Sequence, residues 1–292
     1  MMFLTMDQTP NSKQEIQAVV HPSRRLKELE LAARKGLGQH FLVGRGILDK
    51  ILRAARLSLD DTVVEVGPGL GVLTAGLVEQ AGRVIAVELD DTLARLLQDD
   101  MSRFQNLSII QGDVLKLSPE EVLKDYPGSY KVVANLPYYI TSAALRHFLE
   151  SARRPELMVV MVQREVAKSM TAAPGELSML GLSVQVFGTP HLVCRVPAGA
   201  FYPPPKVESA VVSIEVHPAP VIPEAELAGF FVMARAAFSA SRKQIWNSLA
   251  QGLGTDKAEI AAHLSAAGID PRRRAETLTI PEWVRLWEVF RT

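Results

Sequence analysis

Cysteine is nearly missing from this 292-residue chain: Cys194 is the only one, so no disulfide can form within it. That excludes a disulfide-stapled scaffold and fits a reducing compartment. Cys194 lies in the alternating stretch His191–Val196 and reads as a small buried residue of a strand. Long apolar runs are missing too. None approaches the ~18 residues that span a bilayer, and the opening Met1–Asp7 lacks the basic and apolar regions of a secretory signal. The expected location is the cytoplasm, with no membrane partner. The six histidines form no metal or triad cluster, so no metal is expected. Net charge is zero, with 32 Lys+Arg against 32 Asp+Glu. A neutral total argues at first against a nucleic-acid partner, which usually meets a basic protein.

What is present is the composition of a soluble globular protein of about two domains: 48% hydrophobic and 22% charged. The neutral total also hides a segregation. Residues 1–60 hold 10 basic and 6 acidic side chains, residues 61–220 hold 13 and 18, and residues 221–292 hold 9 and 8. Such a division leaves room for basic surfaces beside an acidic middle.

Residues 1–20 read as a polar tail, and 23–34 as a helix with Leu26, Leu29 and Ala33 on one face. Gly36 and Gly38 interrupt it, and Ile47, Leu48, Ile51 and Leu52 mark a further helix over 45–57. Short apolar β-rich runs then alternate with helical patterns. Strands are expected at 62–66, 83–88, 107–111, 130–134 and 157–162, with helices at 71–80, 91–100, 141–151 and 164–172. That alternation implies a parallel sheet covered on both faces. Residues 182–187, 191–196 and 208–216 read as strands without a long helix between them, hence an antiparallel edge. The segment 217–223 (HPAPVIP) reads as a linker. Everything from 224 onward is helical and holds all three tryptophans, Trp246, Trp283 and Trp287.

The first of these strands runs into Glu65-Val66-Gly67-Pro68-Gly69-Leu70-Gly71 and then a helix. Glycines allow a tight turn and let a ligand approach the backbone. Glu88 ends the next strand about 20 residues on, where a carboxylate can accept from both ribose hydroxyls. Together these point to an adenosine-type cofactor. The dinucleotide fingerprint G-x-G-x-x-G has Val72 at its sixth position here, so NAD fits less well. Asp113 in Gly112-Asp113-Val114 gives the third strand an acidic tip.

The fourth strand ends in Asn135-Leu136-Pro137-Tyr138-Tyr139. The tetrapeptide Asn135–Tyr138 resembles the motif of enzymes that methylate exocyclic amines of nucleobases. The resemblance implies a target such as adenine N6, whose lone pair is delocalised and a poor nucleophile. The Asn135 amide oxygen and the Leu136 carbonyl can each accept one amino hydrogen and aim that lone pair. Pro137 stiffens the loop through its fixed φ, and Tyr138 offers a face on which an extruded base can stack. Positioning and electrostatics then supply most of the acceleration, without a strong base. Further on, Phe201-Tyr202-Pro203-Pro204-Pro205-Lys206 puts an aromatic where it could sandwich the base opposite Tyr138. Lys206 there could meet a phosphate.

The Glu-x-Gly-x-Gly-x-Gly loop resembles motif I of S-adenosylmethionine-dependent methyltransferases, and Asn-Leu-Pro-Tyr resembles the motif of enzymes that methylate exocyclic amines of nucleobases. With Gly38-Gln39-His40-Phe41-Leu42 upstream and Arg235–Ser239, Arg242–Leu249 and Arg274–Leu278 in the tail, the chain over about 35–290 resembles the ribosomal RNA adenine dimethyltransferases, in particular their bacterial small-subunit branch. The resemblance implies an α/β, Rossmann-like class I methyltransferase sheet over 35–216, after an N-terminal tail and helix over 1–34. A smaller all-helical domain at 224–292 would recognise rRNA. It implies dimethylation of two adjacent adenosines in the 3′-terminal hairpin of 16S rRNA, within an assembling small subunit, by a monomer using S-adenosylmethionine and releasing S-adenosylhomocysteine. By matched position, Gln39, His40, Leu42, Gly67, Gly69, Glu88, Asp113, Val114 and Asn135 would hold the cofactor. Asn135, Leu136, Pro137, Tyr138 and Phe201 would hold the target base. His40 departs from the Asn of many relatives, and Trp246 interrupts a commonly basic stretch. Three rivals stand beside this reading: a large-subunit enzyme of the same chemistry, an assembly factor on the same scaffold and a small-molecule methyltransferase. Arg24, Arg25, Arg34, Lys35, Arg242, Lys243, Arg272, Arg273 and Arg274 are the candidate phosphate contacts.

Overall fold

The alternation of apolar runs and helical patterns is realised as a seven-stranded sheet between helices. In the computed structural model, residues 22–28, 34, 38–240 and 242–291 are described. The polar tail over 1–20, Leu29, Ala33, Lys35 and Gly36 lie outside them. The leading helix is α1 (Pro22–Glu28), followed by β1 (Phe41–Leu42) and α2 (Arg45–Ala55). The sheet then unfolds in the order β2 (Thr62–Val66), α3 (Val72–Val78), β3 (Arg83–Glu88), α4 (Asp91–Asp100), β4 (Leu107–Gln111), α5 (Pro119–Val122), β5 (Lys131–Asn135), α6 (Thr141–Leu149), β6 (Leu157–Gln163) and α7 (Arg164–Met170). After α8 (Met179–Gln185) come β7 (Gly188–Val196), β8 (Phe201–Tyr202) and β9 (Ser209–Val216).

Spatial order in the sheet is β4-β3-β2-β5-β6-β9-β7. The first five are mutually parallel, and β9 runs antiparallel to both β6 and β7. Val63, Val84, Val133 and Val159 pack on one face with Ile51, Leu73 and Leu77 of α2 and α3. Their chain neighbours Val64, Ile85, Val132 and Met158 pack on the other face with Leu145 and Phe148 of α6. Period-two alternation thus covers both faces. Between their ends these strands are mainly apolar because neither face meets water, Glu65 of β2 being the exception.

One expected strand is a helix. Over 182–187 the alternation Leu-Ser-Val-Gln-Val suits a strand, yet Met179–Gln185 is α8. Ser178 caps it, its hydroxyl accepting from Gly181 N at 3.1 Å. A built-in N-cap closes the first turn, and six alternating residues do not outweigh it. The proline-rich segment 217–223 is also held more firmly than a loose tether. His217 N donates to Phe187 O at 2.8 Å, Val221 N donates to Val186 O at 3.0 Å, and Ile222 is buried.

Beyond it lie α9 (Leu227–Phe238), α10 (Ile245–Leu253), α11 (Lys257–Ala266) and α12 (Ile280–Phe290). Trp283 is fully buried at their centre, stacked on Phe238 and edge-on to Phe230. Phe187 stacks on Phe231 of α9 at 6.3 Å, so the core of the helices continues into the core beneath the sheet.

Candidate active site

Adjacent strands that leave the sheet in opposite directions open a crevice at their C-terminal ends. Here the chain steps outward from β2 to β3 and β4 on one side and to β5 and β6 on the other. A cavity of about 260 Å³ lies above the ends of β2, β3, β4 and β5 and is roofed by 38–42.

The glycine loop forms its floor. Gly67, Gly69 and Gly71 have φ of 66°, 58° and 78°, a region where a Cβ is strained. A Cβ on Gly71 would also come within 2.5 Å of Leu97 Cδ1. Glu88 is buried beside this loop. Its Oε2 accepts from Gly69 N at 3.0 Å and its Oε1 from Asp90 N at 2.9 Å. Burial pushes the Glu88 carboxyl upward, against those two hydrogen bonds, which favour the anion. Asp90 caps α4 through Thr92 N and Leu93 N. It also accepts from Gln39 Nε2 at 3.2 Å and pairs with Arg34 at 3.2 Å. The roof segment is therefore tied to the end of β3. Asp113 accepts from Leu115 N at 3.0 Å, so it shapes its own turn while lining the cavity.

On the opposite wall, Asn135 Nδ2 donates to His40 O at 3.1 Å. Leu136 is buried, and its N donates to Met161 O at 3.1 Å. Pro137 leads into a 3₁₀ turn over Tyr138–Ile140. The Tyr138 ring stacks on His40, with centroids 5.9 Å apart, and its hydroxyl lies 2.6 Å from Ser209 Oγ. His40 Nδ1 meets Pro203 O at 2.8 Å. A carbonyl only accepts, so that nitrogen carries the proton.

Gln39, His40, Leu42, Gly67, Gly69, Glu88, Asp113, Val114, Asn135, Leu136, Pro137 and Tyr138 all line this one cavity. Phe201 does not. It pairs with Leu42 through β8 and β1 and is buried in the core beside α2. Its ring therefore does not face Tyr138 across the cavity, and the aromatic sandwich expected from Phe201-Tyr202-Pro203 is not formed here.

Two residues have a place in the site that the reading of the sequence did not assign, although Glu65 opens the glycine motif. Glu65 lines the cavity, fully buried, with Oε2 and the neighbouring Thr74 Oγ1 lacking a hydrogen-bond partner among the described residues. Burial pushes its carboxyl up to about 8, with the Glu88 charge adding. A carboxylate inside an apolar strand is itself the signal that could have flagged it. Ser209 is the second; nothing local marks it, because its partner lies 71 residues away.

Among the described residues, no group of three or more His, Cys, Asp or Glu side chains could hold a metal ion, and no helix is long and apolar enough to cross a membrane. The glycine turns, the buried Glu88 and the end of β5 at Asn135 and Leu136 thus line one cavity with a carboxylate on one side and a fixed side-chain amide on the other.

Comparison with known proteins agrees. A family model described as ribosomal RNA adenine dimethylase matches residues 30–292. A ribosomal RNA small subunit methyltransferase A from Dehalococcoides mccartyi is 56% identical over 261 residues, covering 89% of each chain. Among solved structures, the 23S rRNA methyltransferase ErmE superposes with a TM-score of 0.70 at 28% identity, over 86% of this chain and 100% of that one. A dimethyladenosine transferase from Plasmodium falciparum gives 0.72 at 25% identity, over 85% and 96%.

Proposed function

Because this chain belongs to the ribosomal RNA adenine dimethylase family, we propose that it dimethylates the N6 amino groups of two adjacent adenosines in the 3′-terminal hairpin of 16S rRNA. It is an S-adenosylmethionine-dependent rRNA methyltransferase on a Rossmann-like sheet. Bound S-adenosylmethionine supplies a methyl group already activated as a sulfonium.

The rest falls to the chain's own residues. Glu88 accepts the ribose hydroxyls. Gly67 and Gly69 keep Cβ atoms out of the cofactor's path, and Asp113 and Val114 border its adenine. Gln39, His40 and Leu42 close the roof. The observation that carries the reading is the hydrogen bond from Asn135 Nδ2 to His40 O. It commits the nitrogen of that amide and leaves Oδ1 as the acceptor for the target amine, beside the Leu136 carbonyl. Both acceptors draw density onto N6, Pro137 holds their loop, and Tyr138 supports the flipped base. Phe201 pairs with Leu42 and backs the roof from the core.

In this reading residues 1–34 form an N-terminal tail and helix, 35–216 the catalytic unit and 224–292 the rRNA-recognition unit. Exposed Arg242, Lys243, Arg272 and Arg274 support the last assignment. The chain acts in the cytoplasm as a monomer on an assembling small subunit, without metal or membrane.

Methyl transfer from labelled S-adenosylmethionine to unmethylated small subunits, large subunits and bare RNA tests this, with the modified base mapped. Two dimethylated adenosines in the 16S hairpin are expected. Label confined to 23S rRNA, the substrate named for ErmE, overturns the assignment.

A further inference from the structure

Tyr138 is held by groups outside its own loop. Its hydroxyl is hydrogen-bonded to Ser209 Oγ at 2.6 Å, and its ring rests against His40, itself fixed to the Pro203 carbonyl. Ser209 is fully buried. It sits in register with Gln163 of β6 on one side and Val196 of β7 on the other. Its oxygen is therefore carried by the first residue of β9, a strand of the sheet paired on both sides. The Tyr138 hydroxyl is spent on that sheet rather than on the substrate.

This bears on a difference between the two methylations, and it rests on the function proposed above. An unmethylated N6 amine has two hydrogens, one for Asn135 Oδ1 and one for the Leu136 carbonyl. In the first transfer the N6 lone pair forms the C–N bond, the S–C bonding pair stays on sulfur as a thioether, and one N–H proton passes to water. The product amine keeps a single hydrogen. When it is methylated again, one of the two acceptors has nothing to receive. The base must then be held in line with fewer hydrogen bonds, and stacking on Tyr138 carries a larger share of the alignment.

We infer that Ser209 is a positioning residue for the second methylation: by fixing Tyr138 to the sheet, it holds the monomethylated base in line when one amino hydrogen has been lost. Removing the Ser209–Tyr138 bond should slow the second transfer more than the first. A hydrogen bond of ordinary strength corresponds to about threefold to tenfold in rate.

The test uses the full chain, unmethylated small subunits and S-adenosylmethionine, with N6-methyladenosine and N6,N6-dimethyladenosine quantified over time by mass spectrometry. For S209A the second step should fall about threefold or more relative to the first, so monomethyladenosine accumulates, while affinity for S-adenosylhomocysteine is unchanged. Y138F removes the same bond from the other end and should shift the ratio likewise. The double variant should be no worse than the poorer single one. A loss of folded protein scales both steps together, so equal slowing or an unchanged ratio in the soluble variants overturns the inference. Should S209A not fold, Y138F alone decides it. If the unaltered protein dimethylates small subunits and the variants keep its ratio, only this inference fails. If the unaltered protein methylates no small-subunit adenosine, the functional reading fails and this inference with it.

Discussion

The side chain of Asn135 donates through Nδ2 to the main-chain carbonyl of His40, 3.1 Å away and 95 residues earlier in the chain. One hydrogen bond thus orients the amide oxygen and closes the roof of the cavity. Asn135→Ala removes the acceptor, and loss of one preorganised group of this kind costs roughly 10²–10³ in rate. Methyl transfer should fall by that much while RNA affinity, read by filter binding, changes little. Asn135→Asp should also weaken S-adenosylhomocysteine binding, because a carboxylate faces the His40 carbonyl with no proton to give. Equal loss of methylation and RNA affinity in Asn135→Ala would count against the role assigned to this residue.

Glu88 is fixed by Gly69 N and Asp90 N, which leaves its outer lone pairs for a diol. Hydrogen bonds to a charged group are worth about 1.5–3 kcal/mol, a factor of roughly ten to a hundred. Glu88→Ala should weaken S-adenosylhomocysteine binding by that factor in a calorimetric titration. An unchanged titration sinks the ribose assignment.

Sequence reading located the strand ends well, because each is a local event. An apolar run stops at Gly67, Glu88, Asp113 or Asn135, and the parallel sheet brings those stops together. Asp113 shows why two readings of one residue need not compete, since it shapes a turn through Leu115 N and lines the cavity as well. What stayed hidden was non-local. Whether Phe201 faces the cavity or the core depends on its pairing with Leu42, and Ser209 meets Tyr138 only once β9 has inserted beside β6. At 182–187 a local signal misled, because alternation suggested a strand where Ser178 caps a helix.

Glu65 makes stability depend on pH. Burial holds its carboxyl up to about 8 in the folded protein, against 4.5 for an unperturbed glutamate. Below about 4.5 both folded and unfolded chains keep the proton, and no penalty arises. Between 4.5 and 8 the unfolded chain ionises while the folded one does not, so stability falls as pH rises through that window. Glu65→Gln keeps the shape and removes the titration. Its advantage over the parent in urea unfolding should grow from pH ~5.5 to ~8 by an amount on the order of a few kcal/mol. A pH-independent difference between the two would refute this.

The arginines proposed for RNA differ in how far they are already committed. Arg273 donates to Glu282 at 2.5 Å and to Thr277 O at 2.5 Å, and it is the main cause holding the Glu282 carboxyl down to about 2. Glu282 also closes the capping box of α12 with Thr279. Arg24, Arg25 and Arg34 are likewise paired, with Glu28, Asp100 and Asp90. Arg242 and Lys243 are exposed, and the bond from Lys243 goes to a neutral partner, Gln251. Arg273→Ala should therefore lower the unfolding midpoint, most visibly above pH ~4.5 where the parent's Glu282 is ionised in both states, and leave the salt dependence of RNA binding nearly unaltered. Replacing Arg242 and Lys243 by alanine should do the reverse. Stability should hold, and the slope of log affinity against log salt should shrink by about 0.7–0.9 for each phosphate no longer neutralised. Salt titrations of RNA binding beside thermal unfolding separate the two, and a slope that flattens without Arg273 but persists without Arg242 and Lys243 would invert the assignment.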